Sequence, residues 1–274
     1  MVEIFDNIRQ LYRFSAPCEE LGSYIEFFSE SSSDATRSYT GDNCFSVKMF
    51  ASFTPTFWIN LGSPYHLITE NNKYVIPPAK DIMVVRNGIV ERRNLPSDYI
   101  FTVKFFPGGL ESILDISQSN MVNKVIDLHH IIPASLIAQV KKINRFENRM
   151  QLLQDFFLLS LKRKRKTDHY LQFVKDTIAW YEQGNMQFNV SELAARRFTT
   201  SKTINRYFNR VIGISPKEYF SIVRSRTSLT AWTANKKAFE PANFGYYDMS
   251  HFYKEAVKFT GTPISKLANV QIGK

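Results

Sequence analysis

The C-terminal third of this chain contains the same stop twice. "RYFNRVIGISPKEY" (Arg206–Tyr219) and "YKEAVKFTGTPISKL" (Tyr253–Leu267) each read as a helix ended by glycine, with a proline just beyond. When the chain is slid against itself by 48 residues, Ile204 falls on Phe252, Arg206 on Lys254, Phe208 on Ala256 and Gly213 on Gly261. Such self-similarity marks two copies of one supersecondary unit. Each unit reads as two helices joined by a tight turn, the second of them closed by the glycine.

On a wheel of 100° per residue, the second helix of the first unit separates into two sides. Ile204, Phe208 and Val211 share one side, an apolar core face. Lys202, Asn205, Arg206 and Asn209 share the other. Long cations meet phosphates, Arg pairs with guanine O6/N7 and Asn with adenine N6/N7. An ordinary solvated face has the same look, so the pattern points to nucleic acid only together with the charge. Thr200 and Ser201 cap the helix start, where free N–H groups can also meet a phosphate. In the second copy Phe252, Ala256 and Phe259 point inward, and Ser250, Tyr253, Lys254 and Val257 point out, with Met249 near the start. That face is less polar, so we expect fewer base contacts from it and more contacts with backbone and shape. A clean stop lets the N-terminal half of each helix enter a groove. Between the units, "SPKE" offers Ser215 as N-cap and Pro216 as first helical residue. A rigid connector running to about Trp232 would hold the two recognition helices near one duplex turn apart.

Charge divides along the same line. Residues 161–274 carry 20 basic and 8 acidic side chains, a net of +12, whereas residues 1–160 net −2 within a chain of 274 residues and +10 overall. A basic half expects a polyanionic partner. At 44% apolar, the chain has enough apolar side chains for a substantial core. The N-terminal "MVEIFDNIRQ" has no continuous apolar region, so no signal peptide is expected, and no run is long enough to span a membrane. Two cysteines, Cys18 and Cys44, suit a reducing cytosol, although one bridge between them stays open.

The first part, residues 1–160, reads mainly as strands. "FWINL" (Phe57–Leu61), "KDIMVVRNGIVERRN" (Lys80–Asn94) and "YIFTVKFF" (Tyr99–Phe106) are short apolar runs broken by Gly, Pro, Asn and Ser. Phe101, Val103 and Phe105 alternate with Thr102 and Lys104, the pattern of a half-buried strand. "ESSSDATRSYTGDN" reads as a loop. Gly108 and Gly109 read as a strand-to-helix turn. From Pro133, a first-turn proline, Leu136, Ile137, Val140 and Ile143 recur at helical spacing. A second helix, Arg145–Leu161, carries surplus apolar surface between Met150 and Leu161, for dimerisation or for packing on the β-rich part. "KRKRK" (Lys162–Lys166) follows, a phosphate grip or a solvated linker, and the domain boundary is placed there. Past it, Tyr170, Phe173, Val174, Ile178 and Tyr181 form an amphipathic face closed by Gly184, and Asn189 with Glu192 has capping-box spacing.

"SELAARRFTTSKTINRYFNRVIGISPKEYF" and "FGYYDMSHFYKEAVKFTGTPISKL" resemble the two helix-turn-helix units of AraC-type transcription regulators. The second carries their G-[FY]-x-D-x-S-H-F signature at Gly245, Tyr246, Asp248, Ser250, His251 and Phe252. The resemblance covers roughly the last hundred residues. It implies that Ser201, Lys202, Asn205 and Arg206 face one groove and Met249, Ser250, Tyr253 and Lys254 the next. Four positions depart from the pattern. Phe198 stands where the first turn usually has glycine. Glu240 and Pro241 interrupt the scaffold helix of the second unit, and Ala256 replaces a core aromatic. "FTVKFFPGGLESIL" resembles part of the β-rich sensor domain of some members, which implies a cupin-like barrel or sandwich.

Enzyme signatures are not found. His66, His129 and His130 lack zinc-ligand spacing, and no GxxxxGK[ST], GxGxxG or G-x-S-x-G motif occurs. His251 lies inside the DNA-binding signature, in a packing or turn role. The expectation is a cytoplasmic α+β protein of two domains. Residues 1–160 form a β-rich sensor or dimerisation domain with helices. Residues 161–274 form an all-α double helix-turn-helix domain. The expected partner is double-stranded DNA, and a small-molecule effector, RNA polymerase and a second copy of the chain are further candidates. No cofactor or metal is expected. The rival readings are a non-specific or architectural nucleic-acid binder, and an enzyme with a barrel-type N-terminal domain.

Overall fold

The computed structural model describes residues 11–86, 88–122, 124–163, 169–261 and 263. Its N-terminal part has three layers. A six-stranded antiparallel sheet runs in the order β1 (Tyr12–Ser15), β2 (Ile25–Ser31), β9 (Ile100–Phe105), β4 (Pro55–Asn60), β7 (Ile82–Val85) and β10 (Val125–Asp127). A four-stranded sheet, β3 (Phe45–Met49), β8 (Val90–Asn94), β5 (Tyr65–Ile68) and β6 (Lys73–Ile76), faces it. The two are separate sheets and form no closed barrel, so the sandwich alternative of the expected fold holds. "KDIMVVRNGIVERRN" is divided between them, β7 in one sheet and β8 in the other.

Helices α2 (Gly109–Leu114), α3 (Ala134–Lys142) and α4 (Phe146–Arg163) cover the outer face of the larger sheet. Each of its central strands is therefore buried on both sides. This corrects the half-buried reading of β9. Phe101, Val103 and Phe105 pack under the helices. Thr102 and Lys104 point into the interior between the sheets, where the Lys104 ammonium lies 3.9 Å from Glu26 and 5.8 Å from the Phe27 ring centroid. The apolar surplus of α4 is used here: Leu153 and Phe157 are buried against the sheet, and Met150, Leu152, Phe156 and Leu161 are partly so.

Local expectations need three further corrections. Most of the supposed loop Glu30–Asn43 is helix α1 (Ser33–Thr40), whose N-cap Ser32 accepts from Ala35 N at 3.3 Å. Pro133 is the N-cap of α3 and not its first residue, and Ile143 lies just past its end. The helix α5 (His169–Gln183) does not end on a left-handed Gly184. Asn185 (φ 52°) and Met186 (φ 61°) take that conformation, and Gly184 is needed because a Cβ there would come within 2.1 Å of the Phe188 ring. Cys18 and Cys44 are free. Of the basic run, Lys164–Lys166 lie outside the described residues.

The C-terminal part is helical: α5, α6 (Val190–Arg196), α7 (Ser201–Val211), α8 (Pro216–Ala234) and α9 (Met249–Thr260). The capping box at Asn189 and Glu192 is complete, and Pro216 opens α8 as expected, with Ser215 Oγ accepting from Glu218 N at 3.2 Å. One apolar cluster joins all five helices, and it also takes in Phe50, Ala51 and Phe53 from the β-rich part. No described helix is long and apolar enough to cross a membrane.

Candidate nucleic-acid interface

The first unit is α6, a turn and α7. Ile204, Phe208 and Val211 of α7 are fully buried, as the wheel requires. Thr200 caps the helix, its hydroxyl oxygen accepting from Thr203 N at 3.2 Å. The opposite face carries exposed Lys202, Arg206 and Asn209, with Ser201 and Asn205 half-buried. The two amides lie folded on their own helix: Asn205 Nδ2 donates to Ser201 O at 2.8 Å, and Asn209 Nδ2 to Asn205 O at 2.8 Å. The Arg206 guanidinium lies 5.0 Å from the Tyr207 ring centroid. In the turn, Phe198 takes the left-handed conformation (φ 49°), which strains any residue that has a Cβ.

The second unit departs further. Its scaffold is one 3-10 turn, Pro241–Phe244, ended by Gly245. Pro241 has no amide hydrogen to donate and cannot lie deep in a helix, so the element is shortened there. Helix α9 is nonetheless complete, twelve residues capped by Asp248, which accepts from His251 N at 2.7 Å. Phe252, Ala256 and Phe259 are buried, and Ser250, Tyr253, Lys254 and Val257 are exposed. Met249 is partly buried against the helical core, a weaker position for contacting a base. His251 has the expected turn role: its Nδ1 accepts from Tyr247 N at 3.4 Å, and its ring meets Tyr246 edge-on.

The connector α8 is 19 residues, about 28 Å of helix. An ion pair ties α9 to it. Arg224 Nε donates to Glu255 Oε1 at 3.1 Å, Arg224 Nη2 donates to Glu255 Oε2, and the Tyr246 hydroxyl donates to Glu255 Oε1 at 3.2 Å. Burial pushes Tyr246 well above the ordinary phenol range, so it remains a donor. Burial works against the Arg224 charge, but the bond to Glu255 outweighs it and raises the guanidinium overall. A cleft of about 980 Å³ lies between the units. Ser201 lines it from the start of α7, Lys217, Ser221 and Arg224 from α8, and His251 and Lys258 from α9.

Two features of this region were missed by sequence reasoning. The first is the exposure of Phe198 and Tyr247 in the two turns. The missing glycine at 198 was the only signal for it. The second is Arg210, which ends α7 against the N-terminal part. It pairs with Glu111 Oε1 at 2.9 Å and donates to Ser117 Oγ at 2.9 Å and to the Tyr170 hydroxyl at 3.1 Å. Beside it, Gln118 Nε2 donates to Ile212 O at 3.1 Å and to Phe53 O at 2.7 Å. No spacing in the sequence pairs residues a hundred positions apart.

In the N-terminal part, the interior between the sheets is largely filled. The buried Arg92 donates to Asp98 Oδ2 at 3.0 Å and to the Tyr12 hydroxyl, within a box of Tyr12, Trp58 and Tyr65. Beside it a recess of about 40 Å³ remains. Among the described residues no group of His, Cys, Asp or Glu is placed to hold a metal ion.

No family model matches the chain, and no curated protein matches it. Among solved structures, ToxT from Vibrio cholerae superposes with a TM-score of 0.48 at 14% identity, covering 84% of this chain and 99% of that one. ToxT from Vibrio cholerae O395 gives 0.49 at 13%, covering 85% and 98%. CuxR, described as an AraC-like transcriptional activator, gives 0.26 at 12%, covering 82% and 88%. With identity and superposition this low, the functional reading rests on the chain's own residues.

Proposed function

We propose that this chain is a sequence-specific, DNA-binding transcription regulator of the AraC type, with DNA bound by residues 161–274 and regulatory input received by residues 1–160. One observation carries the reading. A capped helix, apolar behind and bearing Lys202, Arg206 and Asn209 in front, lies in a half of net charge +12, and a second helix stopped in the same way follows it along a stiff connector. Lys202, Asn205 and Arg206, with Asn209, contact bases in one major groove, and Ser201 meets a phosphate at the helix start. Tyr253 and Lys254, with Ser250 and Met249, engage the next groove. Double-stranded DNA is the principal partner. A small-molecule effector, RNA polymerase and a second copy of the chain complete the reading, which places the protein in the cytoplasm.

The test is selection of bound sequences from a random DNA pool with the full-length protein. A long asymmetric motif is expected, since two unlike recognition helices in one chain contact successive grooves. Binding without enrichment at fixed salt would favour the architectural reading instead.

A further inference from the structure

Among the described residues, the two most exposed large apolar side chains are Phe198 and Tyr247, at 100% and 93%. The next, Val75, is at 65%. Their positions are related. Under the 48-residue offset the N-caps Thr200 and Asp248 coincide, and both rings fall in the short turn just before them. Phe198 lies two residues ahead of its N-cap, and Tyr247 one residue ahead of its own.

Phe198 gains nothing visible from its place in the folded chain. Its backbone is left-handed, a conformation that disfavours any side chain with a Cβ, and its ring is entirely in water. Phe198 stands at the rim of an open recess that it lines with Phe173, Arg197 and Tyr207, and it remains fully exposed there. Glycine there would remove the strain and the exposed ring together. A side chain that strains the free protein's backbone and gains it no burial in return has its use in a complex.

The surroundings indicate the partner. Phe198 is followed by the exposed Lys202 and Arg206 of α7 and preceded by the exposed Arg196, with no exposed acid between Arg196 and Arg206. Tyr247 precedes the exposed Lys254 of α9, whose outer face adds the exposed Tyr253 and Val257. When a recognition helix enters a major groove, the turn leading into it lies over the sugar-phosphate strand at the groove edge. A ring in that turn reaches deoxyribose faces and thymine methyl groups, the apolar part of a duplex.

We infer that Phe198 and Tyr247 are apolar DNA anchors, one in the turn before each helix, each packing on deoxyribose and thymine methyl groups at the edge of the groove its helix enters. This rests on the reading of α7 and α9 as recognition helices. Neither ring carries charge, so the pair adds affinity without releasing counterions.

The experiment compares full-length wild type with Phe198→Gly, Tyr247→Ala and Val75→Ala. It uses the enriched DNA and a random duplex of equal length, over a salt series, with thermal melts alongside. Phe198→Gly is expected to melt higher than wild type yet bind the enriched DNA about tenfold more weakly, with an unchanged slope of log K against log salt. Tyr247→Ala should weaken binding to a similar degree, and Val75→Ala should match wild type. Equal binding by wild type and Phe198→Gly would overturn the inference. So would a loss of transcription with DNA binding intact, since the rings would then face a protein. Failure of wild type itself to enrich any sequence sinks the recognition helices first, and the anchors with them.

Discussion

Single side chains on α7 begin from different positions. Arg206 is exposed and lies along the Tyr207 ring, free to extend. Asn205 and Asn209 each hold a bond to a backbone carbonyl one turn back, which must be given up before the amide can meet adenine. Their net gain on binding is smaller by about the worth of that bond, ~1 kcal/mol. Arg206→Ala should therefore cost about 1–3 kcal/mol in binding and relax preference at one base position. Asn205→Ala should cost distinctly less. Competition titrations against single-base variants of the enriched site check both, and equal losses on specific and random DNA would make Arg206 a phosphate contact. The outward stripe itself was legible in the sequence, because facing is set by the helical repeat. The folding back of the amides was not, because it depends on rotamers.

At the scale of elements, the two glycine stops look alike in sequence but differ in structure. Gly213 (φ 90°) and Gly261 (φ 61°) are both left-handed, as a helix stop demands. A Cβ on Gly213 would lie 3.0 Å from the Ser119 backbone and from Val122, whereas on Gly261 it would meet, among the described residues, only Ile89, at 3.7 Å. Gly261→Ala carries the conformational penalty alone, about 1 kcal/mol. Gly213→Ala adds a backbone contact that cannot give way, for about 2–3 kcal/mol in all. Urea melts of the two variants would rank them, and equal costs would show that the neighbouring segment yields. The capping residues Asn189, Thr200 and Ser215 were legible because a cap and its amide are two or three residues apart. Helix α1 was missed because its polar composition hides a capped turn.

For the whole molecule, the end of α7 is held by the N-terminal part. Arg210 reaches Glu111, which is almost fully buried, while Gln118 bridges Phe53 and Ile212. Arg210→Met leaves Glu111 buried with the Tyr170 hydroxyl but without this cation. It should lower stability by about 2 kcal/mol, less than for a wholly buried pair because Arg210 is half-exposed. Thermal melts give the size. An unchanged melting temperature would mean that the seam does not couple the parts.

Lys175 sits on the same seam. Its ammonium lies 4.1 Å from the Tyr24 ring centroid and donates to Ser23 O at 2.9 Å. Burial lowers its pKa from the ordinary 10.5 to about 8, against a small opposing pull from Asp176. The folded chain thus holds that proton less tightly than the unfolded chain. Below pH 8 both are protonated and the burial cost is present in full. Between about pH 8 and 10.5 the folded form sheds the proton first, so the stability of wild type relative to Lys175→Met should rise with pH. Acylation of Lys175 followed by mass spectrometry should show half-maximal reactivity near pH 8, and titration near 10.5 would refute the shift.

The repeated unit, the two stops, the local caps, the inward and outward faces of α7 and α9, and the concentration of positive charge in one half could be read from the residues alone. All of these depend on composition, on residues within one or two helical turns of each other, or on a comparison of two such stretches. That β9 is covered on both sides, that "KDIMVVRNGIVERRN" serves two sheets, that Phe198 and Tyr247 stand out in water, and that Arg210 is tied to Glu111 emerged from the folded chain alone. Those outcomes depend on surfaces brought together across tens to more than a hundred positions of chain, where neither periodicity nor spacing carries information.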